Sequence, residues 1–201
     1  MNLEDDNMNA NVGMVHPVVA TVQTYTEGTS ISYNAGKRVA EAVSASINWN
    51  RADGRFYGDD VVLDSDNGVL GYTIDFEPTG LTDEIRGYML GETAQTGEYT
   101  INDAASPDVG FGYVRVMRTT NSSGTVENSY EGWWYYKLKF GVSGEETRTK
   151  EQNTEWRTPT LNGVGAGVKL DSSGVQKFAV HKSFSSKSDA ISYVNNKAGI
   201  T

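Results

Sequence analysis

Residues 132–163 read GWWYYKLKFGVSGEETRTKEQNTEWRTPTLNG: a strand, a charged reversal and a second strand. The first strand opens on Trp133-Trp134-Tyr135-Tyr136, and the second carries Trp156-Arg157-Thr158-Pro159-Thr160-Leu161. Side chains of an extended chain point alternately to opposite faces. Trp134, Tyr136, Leu138, Phe140 and Val142 therefore share one apolar face, which predicts core. Trp133, Tyr135, Lys137 and Lys139 share the other. Rings interleaved with cations suit a face that meets a partner or a second sheet, so these four are candidate interface residues.

The same period of two recurs on both sides of this block. Leu70, Tyr72, Ile74 and Phe76 alternate with Gly71, Thr73, Asp75 and Glu77, a half-buried strand. Over 39–49, Val39, Glu41, Val43, Ala45, Ile47 and Trp49 face one way and Ala40, Ala42, Ser44, Ser46 and Asn48 the other. Further strands are expected over 12–24, 111–119, 156–168 and 176–182. A helix is predicted over 81–90, capped by Thr82, with Asp83 and Glu84 at the positive end of its dipole and Gly91 as its stop. A short final helix is predicted near 187–198, with Ser186 and Asp189 as a reciprocal cap. Many short strands with one internal helix imply a mainly β fold: an antiparallel β-sandwich or barrel with a flanking α-helix and a short C-terminal helix. The expected division is a flexible arm at 1–11, a body at 12–168 and a C-terminal extension at 169–201. Within the body, 50–68 reads as a long acidic connection.

Composition narrows the chemistry. The 201 residues contain no cysteine, which excludes a disulfide framework, a thiolate metal site and a cysteine nucleophile. His16 and His181 have no neighbours at metal-ligand spacing, and no G-x-S-x-G elbow is present. The glycine-rich run at 163–167 lacks the third glycine of a nucleotide loop. The run at 64–68 places its glycine one residue early for a calcium loop. No enzyme, cofactor or metal is expected. No apolar run approaches a membrane span, and no signal peptide is expected at the start. Net charge is −9, which opposes tight binding to nucleic acid. Residues 169–201 hold five lysines against Asp171 and Asp189, a net of +3, leaving −12 on residues 1–168. An acidic face of one copy meeting the basic tail of another is one use of that asymmetry.

In order along the chain come Gly36-Lys37 before the strand at 39–47, Arg55-Phe56-Tyr57-Gly58-Asp59-Asp60 in the long connection, and residues 68–77. The helix ending Met89-Leu90-Gly91 follows, then the aromatic-lysine strand, the Glu-rich reversal and Thr158-Pro159-Thr160-Leu161-Asn162-Gly163. In this order and spacing, over about residues 12–163, the chain resembles the major tail proteins of bacteriophages with long, non-contractile tails. The acidic start and the lysine-bearing end depart from that pattern.

The resemblance implies a β-sandwich subunit that forms hexameric rings stacked into a tail tube, with one sheet of each copy lining the lumen through which genome DNA passes. It implies a place in the virion after assembly in the host cytoplasm. Expected partners are other copies and the tape-measure, tail-tip and tail-terminator proteins; DNA slides through without specific binding, and no membrane is involved. Lumen residues should be acidic or small and polar, since each Lys or Arg on a phosphate would act as a brake; Asp75, Glu77, Ser44 and Ser46 are the candidates. Arg55, Phe56, Tyr57, Asp59, Asp60, Asp64 and Asp66 are candidates for bridging rings. Two alternatives remain open: the inner tube of a contractile tail or tailocin, and a carbohydrate-binding β-sandwich using Trp133 and Tyr135.

Overall fold

Backbone pairing carries the strands further than their apolar residues suggest. In the computed structural model, which describes residues 8–58, 61–95, 98–101, 105–120, 125–144 and 158–200, the first strand, β1, spans Met8–Thr26. Residues 8–11, expected in a flexible arm, belong to it: Met8, Asn9, Ala10 and Asn11 lie opposite Thr120, Thr119, Arg118 and Met117. A ladder needs only backbone donors and acceptors, so polar side chains do not end it.

The short β2 (Ser30–Tyr33) and β3 (Lys37–Arg38) lead to β4 (Ala42–Arg51). The expected connection at 50–68 is instead largely a hairpin, β5 (Gly54–Gly58) with β6 (Val61–Asp66). Then come β7 (Val69–Pro78), helix α1 (Asp83–Leu90), and the small pair β8 (Thr93–Gln95) and β9 (Glu98–Thr100). Thr82 Oγ1 accepts a hydrogen bond from the Ile85 N–H at 3.3 Å, and Gly91 closes α1 in the left-handed conformation at φ 75°, as the sequence predicts. The chain continues through β10 (Val109–Thr120), β11 (Val126–Gly144), β12 (Thr160–Gly165), β13 (Val168–Lys169), β14 (Gln176–Lys177), β15 (Ala179–Phe184) and α2 (Lys187–Ala198). Trp156 and Arg157 lie outside the described residues. Ser186 starts α2 without the expected side-chain cap; its hydroxyl pairs with that of Ser188 at 2.7 Å.

The fold is mainly β, built on one nine-stranded antiparallel sheet in the order β2-β1-β10-β11-β12-β7-β4, with β15 also on β11 and β3 also on β1. Strand β11 serves two walls. Its first half pairs with β10 and, over Tyr130–Tyr135, with β15; from Leu138 onward it pairs with β12. The sheet curls so that the walls face each other. Phe76 of β7 meets Phe111 of β10 with ring centres 5.1 Å apart, and Tyr72 meets Tyr135 at 5.3 Å. Ile74, Leu138, Phe140 and Leu161 fill the space between, and Ile85 and Met89 of α1 join this core.

A second core lies on the opposite face of the first wall, beneath α2. Val18, Ala20, Val114 and Trp134 from the sheet meet Ala190, Val194 and Ala198 from the helix. Glycine permits this close approach: a Cβ on Gly132 would stand 2.7 Å from the Tyr193 ring. Residues 169–201, expected as an extension, thus supply a sheet strand and the cover of a core.

Candidate functional site

The wall made by β4, β7, β12 and the second half of β11 turns one face to the core; among the described residues no other element covers its other face. On β7, Tyr72, Ile74 and Phe76 are fully buried, so Thr73, Asp75 and Glu77 point outward. Across the ladder with β4, Ser46 stands opposite Asp75 and Ser44 opposite Glu77. The four lumen candidates therefore lie together on one face. Ser44 donates to Glu77 at 3.2 Å, Thr158 also donates to Glu77, and Asn162 of β12 donates to Asp75 at 2.6 Å. Asn48, Thr73 and Val164 form the next outward row. The result is a face mainly of short hydroxyl and amide side chains carrying two carboxylates, with exposed Val164 and, opposite it on β11, Lys139. Thr158 and Asn162 are partners that sequence spacing did not single out, since they lie far from β7 along the chain.

A β-bulge decides the orientation of β4. Ala42 opposes Pro78 but Ser44 opposes Glu77, so Val43 is an extra residue. The strand begins after Glu41, which pairs with Arg38 rather than joining the alternation. Ala42, Ala45 and Ile47 turn to the core, whereas Val43 is 55% exposed.

A second bulge breaks up the expected row Trp133, Tyr135, Lys137 and Lys139. Val109 opposes Leu138 while Phe111 opposes Tyr135, so Gly110 faces both Tyr136 and Lys137. One inserted residue exchanges the faces of everything beyond it. Trp133, Tyr135, Leu138 and Phe140 consequently share the core side, and Lys137 and Lys139 point the other way. Tyr135 is buried, and burial followed by its neighbour Tyr113 holds its hydroxyl far above the ordinary range. Trp133 is covered by the Arg115 guanidinium at 4.6 Å and by the His181 ring, stacked at 4.3 Å. These two rings form no open sugar platform. Lys137 and Lys139 bracket Asp108, each at 3.3 Å, and Lys139 also donates to the Ser106 carbonyl at 2.6 Å.

Of the bridging candidates, Arg55, Phe56 and Tyr57 lie on β5 and Asp64 and Asp66 on β6, with Phe56 opposite Asp64; Asp59 and Asp60 lie outside the described residues.

The lateral edges of the wall are open. Among the described residues β4 pairs only with β7, and β11 beyond Leu138 pairs only with β12. From Ala42 to Asn50 strand β4 holds no charge and no proline, the devices that ordinarily protect a sheet edge. Among the described residues no cluster of His, Asp and Glu could hold a metal, and no helix is long and apolar enough to cross a membrane. No family model matches the chain, and no curated protein matches it in sequence.

Proposed function

We propose that the chain is the structural subunit of a phage tail tube, which assembles into hexameric rings whose lumen conducts DNA. The observation that carries this reading is the wall of β4, β7, β12 and β11: one face mainly polar and, among the described residues, uncovered, with both lateral edges unpaired there. The four segments run alternately up and down, so the β4 edge of one copy meets the β11 edge of the next in antiparallel sense. The two edges differ, so the contact is head to tail, and a repeated rotation closes it into a ring. The lining would then be Ser44, Ser46, Asn48, Thr73, Asp75, Glu77 and Asn162, small or acidic groups; Lys139, opposite Val164 on β11, adds a cation to this face that pairs with Asp108 at 3.3 Å. In this reading the protein resides in the virion tail, with tape-measure, tip and terminator proteins as its other partners.

Concentrating the purified protein, with and without tail-tip complex as a seed, tests this by electron microscopy and sedimentation. Rings or tubes are expected. A chain that remains monomeric under all these conditions overturns the proposal.

A further inference from the structure

The side of the molecule away from the bare wall carries a strip of cations and rings. Lys182 on β15 holds its Nζ 5.4 Å from the centre of the Phe184 ring. That ring meets Tyr193 of α2 at 5.5 Å, and Lys197 lies 5.6 Å over Tyr193. Lys187, the first residue of α2, is exposed close by. Arg118 lies on the same sheet face, since it follows Val114 of the α2 core by two alternations along β10. Among the described residues none of the four cations makes an ion pair; Asp189, four residues before Tyr193, is an acid on this flank. By contrast, the other lysines of this region are neutralised within the chain: Lys169 by Glu27 at 2.7 Å and Lys177 by Asp171 at 2.5 Å. The Lys177 ammonium and the Ser173 hydroxyl and N–H pull the Asp171 carboxyl down to about 2, so that pair is complete.

The chain also carries the complement. Residues 54–66 hold Asp59, Asp60, Asp64 and Asp66 against Arg55. The β5–β6 hairpin within them pairs with no other strand among the described residues. We infer that the strip around Lys182, Phe184, Tyr193 and Lys187 is a docking surface for the acidic β5–β6 hairpin of a second copy. This rests on the reading of the chain as a self-assembling subunit. A charged strip answering an acidic hairpin is a contact between two different surfaces, so it propagates from copy to copy and does not pair two copies off. Rings beneath the ammonium groups give the contact apolar area as well as charge, and steering by opposite charges speeds the encounter.

A charge exchange tests the inference. One variant carries Lys182→Glu with Lys187→Glu; glutamate at the first position of α2 suits the helix dipole, so the fold is retained, and circular dichroism checks it. The other carries Asp64→Lys with Asp66→Lys. Each alone should need at least about tenfold higher concentration than the native chain to assemble, judged by light scattering. Mixed in equal amounts, they should co-assemble near the native concentration. If the lysine variant assembles as readily as the native chain, or the mixture gains nothing, the docking surface is overturned while the tube reading stands. If the native chain never assembles, both fall. If the native chain retards DNA in a gel and Lys182→Glu with Lys187→Glu abolishes this, the strip belongs to a polyanion and the hairpin assignment is overturned.

Discussion

Gly110 shows how much one residue settles. A Cβ there would stand 2.3 Å from the Trp134 ring and 2.7 Å from that of Tyr33, whose hydroxyl donates to the Tyr136 carbonyl at 2.7 Å. Gly110→Ala should therefore lower the stability to chemical denaturation by about 1–3 kcal/mol through overpacking, far more than an exposed alanine would. The same residue explains what alternation could not deliver. Trp134, Leu138 and Phe140 read as buried, and they are. Yet Trp134 lies under α2 while Leu138 and Phe140 lie between the walls, because the bulge at Gly110 shifts the pattern by one. A bulge leaves no side-chain signature of its own, so the row Trp133, Tyr135, Lys137 and Lys139 looked continuous when it is not.

Elements were legible where local chemistry and period agree. Strand β7 and helix α1 match their expected patterns because each buries one clean face and each is bounded by strong signals: Pro78 ends the strand, and Thr82 and Gly91 bound the helix. The β5–β6 hairpin was hidden because its acidic run suggests solvent rather than pairing. Residues 8–11 were hidden because strand pairing on β10 is set by backbone, not by apolar side chains. At this scale the unprotected β4 edge makes a prediction. Val43 is exposed at the bulge, so Val43→Lys should change stability by no more than about 0.5 kcal/mol. A charge placed on a free edge opposes pairing with another strand, so the variant should stay monomeric in sedimentation at concentrations where the native chain assembles.

At the scale of the whole molecule, charge is sorted by side. The wall face presents Asp75 and Glu77 among hydroxyls and amides, with its cation Lys139 paired to Asp108, while the α2 side presents Lys182, Lys187 and Lys197. If the chain is a tail-tube subunit as proposed, particles carrying Asp75→Lys with Glu77→Lys should form tubes of normal length but release DNA more slowly, with faster release at high salt. Ejection at the native rate would remove these carboxylates from the lumen. The sequence disclosed the total charge and its skew toward the two ends of the chain, but the sorting by side comes from the curl of the sheet.

Trp134 and Tyr135 are adjacent in the chain and fully committed to different cores on opposite faces of one strand. Neither core can melt without removing the backing of the other. Heating should accordingly give a single transition, with calorimetric and van't Hoff enthalpies equal and near-ultraviolet and far-ultraviolet dichroism lost together. A chain built this way has no half-open state to occupy: under heat or mechanical load each copy is either whole or gone, and in the proposed filament the joints would fail before the parts soften.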